Sequence, residues 1–215
     1  MKNSTQSGLL IAIEGIDGSG KSTLARNLHT ALLGQGLPCM LTKQPGGTPL
    51  GTHIRQLLQY RESPITPTAE YLLFAADRAQ HMKDVVMPAL NQNQLVISDR
   101  MGDSSLVYQG YGRGIDINMI QCINRWAMHD RLPDVTVYVR LDPTQARERI
   151  IARNMAQTAF EKEPDTFVEK LINGFEALYN GKDNVITIDA TLPPHELTQK
   201  TITALRPWIA QKKSI

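Results

Sequence analysis

Gly15-Ile16-Asp17-Gly18-Ser19-Gly20-Lys21-Ser22 decides the fold of this chain. It reads G-x-x-x-x-G-K-S, the pattern of a phosphate-binding loop. Before it stands the apolar run Leu9-Leu10-Ile11-Ala12-Ile13, and after it the helix-like run Thr23-Leu24-Ala25-Arg26-Asn27-Leu28. Strand, loop and helix are the setting that the motif needs. The glycines let backbone N–H groups turn inward around phosphate oxygens. The helix that begins at the loop adds the positive end of its dipole. In that geometry Lys21 reaches the β- and γ-phosphates, and the Ser22 hydroxyl holds Mg²⁺. The plain alternative is a glycine-rich turn with a surface lysine. Average residue usage makes the motif a roughly 1% chance event in a chain of this size, before its flanks are considered.

The chain has 215 residues and a formal net charge of +2. One domain over 1–215 is expected, able to bury roughly 70% of its unfolded surface. The charge is too small to argue for nucleic acid or an anionic membrane, so the anion to be explained is a small phosphate. Cys39 and Cys122 show no C-x-x-C spacing, and the five histidines form no H-E-x-x-H. Neither a disulfide scaffold nor a zinc site is indicated. Residues 1–7 are polar and lack the apolar core of a signal peptide. No apolar run is long enough to span a bilayer. The expected location is a reduced cytoplasm.

Outward from the loop, apolar runs at 9–14, 40–43, 95–99, 135–141 and 185–189 alternate with helix-period segments. That alternation predicts an α/β fold, a parallel sheet with helices on both faces, and ligands beyond the carboxyl ends of the strands. The first helix, over about 21–33, stops at Gly34-Gln35-Gly36. Thr48 and Pro49 cap and open the next helix, with Leu50, Ile54, Leu57 and Leu58 as its apolar face. Arg55 lies off that face, as a solvated charge or as a cation leaning toward an anion.

Thr66 and Pro67 open a helix expected to run to about Val86, before Pro88. Ala69, Leu72, Ala76, Ala79 and Val86 share the stripe expected to face the core. Glu70, Phe74, Asp77, Arg78 and His81 fall opposite. Phe74 and Arg78 are one turn apart and can touch one object. A base stacked on Phe74 with a carbonyl bonded by Arg78 explains both residues, and so does a second packing layer or a dimer contact.

The strand Leu95-Val96-Ile97-Ser98 ends in Asp99-Arg100. Asp99 can hold Mg²⁺ through water, and Arg100 offers a two-pronged donor to a phosphate. An ordinary ion pair is the alternative. Asp99-Arg100-Met101-Gly102 also fits the D-x-x-G of GTPase switches, but no N-K-x-D follows for guanine. Gly110-Tyr111-Gly112-Arg113-Gly114 is expected as a loop. Asp142-Pro143 starts a helix with Arg149 and Arg153 on one face. Residues 154–164 have little apolar periodicity and read as a mobile flap. Residues 166–179 are helical again, and a last helix runs through Trp208.

The motifs occur in one order: G-x-x-x-x-G-K-S, Gln44-Pro45-Gly46-Gly47-Thr48, the Phe74/Arg78 helix, Asp99-Arg100 with Ser104 and Tyr108-Gln109, then Gly112-Arg113-Gly114. In that order, over nearly the whole length, the chain resembles bacterial thymidylate kinases. The resemblance implies a P-loop kinase with a five-stranded parallel sheet flanked by helices, usually a homodimer. It implies transfer of the ATP γ-phosphoryl group to dTMP, giving dTDP, with Mg²⁺ as cofactor and no nucleic-acid or membrane partner. Gly15, Ile16, Asp17, Gly18, Ser19, Gly20, Lys21, Ser22 and Thr23, with Arg149, would bind ATP. Ser22 and Asp99 would hold the metal. Asp17 would take the deoxyribose 3′-hydroxyl, Phe74 the thymine face, Arg78 a thymine carbonyl, and Arg55 and Arg100 the dTMP phosphate. Tyr108 would pack on the sugar and disfavour a 2′-hydroxyl, while Ser104 and Gln109 line the base pocket. Lys21, Asp17, Arg100 and Arg153 are the expected catalytic group.

Two positions depart from the family pattern. Lys43-Gln44 stands where Arg-Glu is usual, and Ala159 takes the arginine position of an Asp-Arg-x-Glu-like flap element. No arginine occurs from Asn154 to Gly181. Arg153, helped by Arg149, is the expected substitute, with Lys162 as its rival. Two other functions fit the same loop: a kinase for another nucleotide or a deoxynucleoside, and a non-catalytic nucleotide-binding regulator.

Overall fold

The structure, a computed structural model, describes residues 8–213, so the polar start at 1–7 lies outside the described residues. Five strands form one parallel sheet: β1 (Leu9–Glu14), β2 (Cys39–Lys43), β3 (Leu95–Asp99), β4 (Val135–Arg140) and β5 (Val185–Asp189). Their order is β2-β3-β1-β4-β5. The chain leaves β1 toward one edge and β3 toward the other, which opens a crevice above the carboxyl ends of these two strands. The register places Ile13 and Lys43 beside Asp99, so three strands end level with one another.

Alternation along β1 builds the core. Leu9, Ile11 and Ile13 face one layer, with Leu24, Leu28 and Leu32 of α1 (Lys21–Gly34), Phe175 of α8 (Asp165–Tyr179) and Leu205 of α9 (Pro194–Lys213). Leu10 and Ala12 face the other, with Met82, Val86, Ala89 and Leu90. Both faces are covered, which is why the strands read as continuous apolar runs.

Four expectations are corrected. The helix opening at Pro67 presents its polar side to the interior, where Glu70, Asp77, Arg78 and His81 are buried while Ala69, Leu72 and Ala76 are exposed. This helix, α3 (Pro67–His81), packs against α2 (Pro49–Gln59), and its buried polar side chains bond to residues outside α2: Thr42, Gln44, the Gly46 N–H, Arg61, Ser105, Gln109 and Asn124. A Cβ on Gly47 would come 2.5 Å from His81 Cδ2, so the Pro-Gly-Gly-Thr loop depends on glycine for this close approach. The helix also does not stop before Pro88. It runs through a π-helical turn (Met82–Val86) into α4 (Met87–Asn91), a widening of the kind that absorbs a missing proline N–H.

The apolar face of α2 divides. Ile54 and Leu58 are buried, whereas Leu50 and Leu57 are 48% and 51% exposed. Finally, residues through Gly112 are helical rather than a loop: α5 (Gly102–Ser105) continues as a π-helix (Leu106–Gly112). A helix that periodicity had not marked, α6 (Ile117–Ala127), follows with Asp116 as its cap. The charged helix is α7 (Pro143–Ala152), capped by Asp142.

Candidate active site

The loop after β1 is held open by its glycines. Gly18 has φ +82°, and a Cβ there would lie 2.4 Å from the Ala146 carbonyl oxygen. Gly20, at φ 94°, is the residue before α1, so the helix starts at Lys21 itself. Lys21 is 5% exposed, and its Nζ donates to the Ile16 carbonyl at 2.5 Å. Burial and the nearby Arg100 lower its pKa to about 8, against the attraction of Asp17, Asp99 and Glu14. Ser22 Oγ donates to Asp99 Oδ2 at 2.5 Å, joining the two expected metal ligands.

Arg100 has φ 69°, a left-handed backbone that turns its side chain back over the loop. One guanidinium nitrogen donates to the Gly15 carbonyl and to Ser104 Oγ, both at 2.9 Å. The other donates to Asp17 Oδ1 at 2.6 Å and Tyr108 Oη at 3.1 Å. Tyr108 Oη also donates to Asp17 Oδ2 at 3.1 Å. Burial opposes the charge on Asp17, but Arg100 and Lys21 outweigh it and hold the carboxyl at about 2. Burial likewise opposes the Arg100 charge, yet Tyr108, Asp17 and Glu14 raise its pKa.

Glu14, the last residue of β1, is fully buried beneath this group. It accepts from the Met101 N–H at 2.7 Å and from Ser104 Oγ at 2.5 Å. Burial and Asp103 push it up to about 7 despite Arg100 and these bonds.

The other wall belongs to α3. Arg78 is 1% exposed and donates to Gln44 Oε1 at 3.0 Å, Asn124 Oδ1 at 2.6 Å and Ser105 Oγ at 2.7 Å. All three acceptors are neutral. Because Gln44 Oε1 serves Arg78, its amide faces His81 Nδ1 at 3.3 Å, and His81 Nε2 then donates to Thr42 Oγ1 at 2.7 Å. Burial and Arg78 depress His81 to about 4. Glu70, also buried, accepts from Gln109 Nε2 at 3.0 Å and Arg61 Nη1 at 2.9 Å.

One cavity of about 550 Å³ joins these walls. Asp17, Gly18, Gly20, Lys21, Ser22, Thr23 and Asp99 line one side; Arg55, Phe74, Arg78, Arg100, Ser104, Tyr108 and Gln109 line the other; Arg149 and Arg153 stand over it. Gly15, Ile16 and Ser19 do not line it. Gly15 and Ile16 turn carbonyls toward Arg100 and Lys21, and Ser19 Oγ has no hydrogen-bond partner among the described residues. Arg55 Nη1 donates to the Pro45 carbonyl at 2.9 Å. Arg149 donates to the Ala190 carbonyl at 2.8 Å, and Arg153 to Glu161 Oε1 at 2.5 Å. Lys162 is exposed and does not line the cavity.

Sequence reasoning did not single out Glu14, Glu70, Ser105 or Asn124 for the site. Glu14 carried a signal, a carboxylate ending a buried apolar strand. Asn124 carried none, because only the fold brings α6 under Arg78.

A family model for thymidylate kinase matches residues 13–202. The thymidylate kinase of Chlorobaculum tepidum is 40% identical over 206 residues, covering 92% of this chain and 96% of that protein. That of Leifsonia xyli is 40% identical over 190 residues, covering 88% and 90%. A crystal structure of thymidylate kinase from Ehrlichia chaffeensis superposes with a TM-score of 0.76 at 28% identity, covering 93% of this chain and 98% of that one.

Proposed function

The chain belongs to the thymidylate kinase family, and we infer from its cavity how it performs the family's reaction. It is an ATP-dependent kinase that phosphorylates dTMP to dTDP, a step toward dTTP. A kinase for another acceptor and a non-catalytic regulator are not favoured. One observation carries the site assignment: a single cavity has the P-loop on one side, the Phe74/Arg78 wall on the other and Arg100 between them.

Two anions must meet in line there, so positioning and charge neutralisation dominate the chemistry. The P-loop residues 15–23 bind ATP, with Arg149 beside them. Lys21 leaves the Ile16 carbonyl for the transferring phosphoryl group, whose negative charge favours the ammonium form. Arg100, fixed by four bonds, and Arg55 bind the dTMP phosphate. Asp17, held as a carboxylate, accepts a hydrogen bond from the 3′-hydroxyl. Phe74 stacks on thymine. Arg78 has five N–H donors and spends three bonds on protein, so it can still donate to a carbonyl. Tyr108 covers the sugar, and Ser104 and Gln109 edge the base.

A hydroxyl and one carboxylate suit Mg²⁺, which keeps phosphate and water ligands rather than a full protein cage. Among the described residues no cluster of three or more His, Cys, Asp or Glu forms a cage of that kind. Ser22 and Asp99 would hold the ion, and bound Mg²⁺ would neutralise charge on the β- and γ-oxygens. The domain is a single unit with 154–164 as its flap, working as a homodimer in the cytoplasm. Among the described residues no helix is long and apolar enough to cross a membrane.

A compound joining adenosine to thymidine through a polyphosphate chain tests the shared cavity. It should compete with both ATP and dTMP. Competition with only one of them would place the substrates in separate sites.

A further inference from the structure

Phe160 stands at the unspecified position of the flap element, between the missing arginine at Ala159 and Glu161. It lines the cavity and is half-buried. Its ring centroid lies 5.9 Å from that of Phe74, tilted by 52°. It lies the same 5.9 Å from Tyr108, edge to face at 78°. The Arg61 guanidinium carbon sits 5.9 Å from the ring centre. The flap therefore brings one apolar ring to the two aromatic residues assigned to the base and the sugar.

Its backbone is fastened on the same side. The Ala159 N–H donates to the Gln59 carbonyl at 2.9 Å, at the end of α2. Glu161 is 8% exposed, and its carboxylate accepts from the Thr158 N–H at 2.8 Å. Further along, Glu163 accepts from Arg113 Nη2 at 2.6 Å. Arg113 also reaches Glu70, with both contacts at 3.4 Å, and Glu70 holds Gln109. Two ion pairs and a final hydrogen bond thus run from the flap to Gln109, a base-pocket residue.

We propose that Phe160 is a contact residue for the acceptor nucleoside, a third aromatic wall that the flap lays over base and sugar and that Glu163 latches through Arg113 and Glu70. The inference rests on Phe74 as the residue that stacks on thymine. Two tilted rings bound a wedge in which a flat base gains an apolar contact on a second side and loses water. A ring supplied by the flap adds binding for dTMP and none for ATP.

Steady-state kinetics of the full chain test this, with dTMP and ATP varied separately for Phe160→Ala, Phe160→Leu, Glu163→Gln and Phe74→Ala. Phe160→Ala should raise the dTMP KM about tenfold, equivalent to about 1.4 kcal/mol, with the ATP KM held within about twofold. Phe160→Leu should recover most of the loss, and Glu163→Gln should move the dTMP KM the same way by about threefold. An unchanged dTMP KM in Phe160→Ala overturns the proposal. So does a lowered one, which would mean that the ring fills the base's own place. A joint fall of kcat and rise of both KM values, with a lower melting temperature, also overturns it by making Phe160 a packing residue. Phe74→Ala with an unchanged dTMP KM refutes the stacking assignment separately, whatever Phe160 does.

Discussion

Lys21 is buried in its own loop and bonded to the Ile16 carbonyl. Lys21→Ala should cut kcat at least ~10²-fold, because a preorganised donor to developing charge is lost. The thermal melt should stay where it is. Normal turnover with a normal melt would remove the P-loop from the mechanism. Phe74→Ala should raise the dTMP KM far more than the ATP KM, since stacking one base is worth about 1–3 kcal/mol in single-strand binding proteins. Two unchanged KM values with a lower melting temperature would make Phe74 a packing residue.

His81 reports on the buried polar face of α3. Its folded pKa, about 4, lies below the unfolded value near 6.5. As pH falls from 6.5 to 4, the unfolded chain takes up a proton that the folded chain refuses, so stability is lost across that window. Glu14 works in the opposite direction, since its raised pKa adds stability as pH falls below about 7. Comparing the wild type with His81→Gln isolates the histidine. The variant costs stability at pH 7, and that cost should shrink by about 3 kcal/mol by pH 4. Urea melts at several pH values check this, and a constant gap would contradict a neutral His81.

At the scale of elements, the strands were legible because β1, β3 and β4 are buried on both faces and leave unbroken apolar runs. The orientation of α3 was not legible. Periodicity sorts apolar from polar, and here the buried side is the polar one, satisfied by Gln44, Asn124 and Ser105 from three other places in the chain. The π-helical Leu106–Gly112 hid behind its glycines for a similar reason. A Cβ on Gly112 would meet Phe167 at 2.7 Å, so the glycine marks close packing against α8 and not a turn. Arg153 is held over the cavity by Glu161, a bond that uses one of its five donors. Arg153→Ala should lower kcat at least ~10²-fold with little change in the dTMP KM, and Arg153→Lys should restore only part. Lys162→Ala should matter little. The reverse pattern in the two alanine variants would give the role to Lys162.

Across the whole molecule, the parallel sheet assembles one cavity from residues spread between Asp17 and Glu161. The motifs marked the cavity floor, and only the fold showed which buried partners hold it. The corrected faces of α2 and α3 also leave Leu57 and Leu72 each 51% exposed, and on α6 Met119 is 57% and Trp126 80% exposed. α3 packs against both α2 and α6, so these side chains belong to adjoining helices. The homodimer proposed above would cover such a surface with a second copy of the chain. Trp126→Lys should weaken self-association by about 2 kcal/mol or more, ~30-fold in Kd, as read by sedimentation. An unchanged monomer in both proteins would rule out the dimer.

In that cavity ATP passes its γ-phosphoryl group to dTMP. The most direct test of this transfer is ADP formation by the purified chain with Mg²⁺ and ATP, comparing dTMP with dUMP, dCMP, dAMP, thymidine and no acceptor. ADP should form rapidly with dTMP, matched by equal dTDP, and only at background without an acceptor. Equal ADP formation with and without dTMP, or faster turnover on another acceptor, would contradict the account.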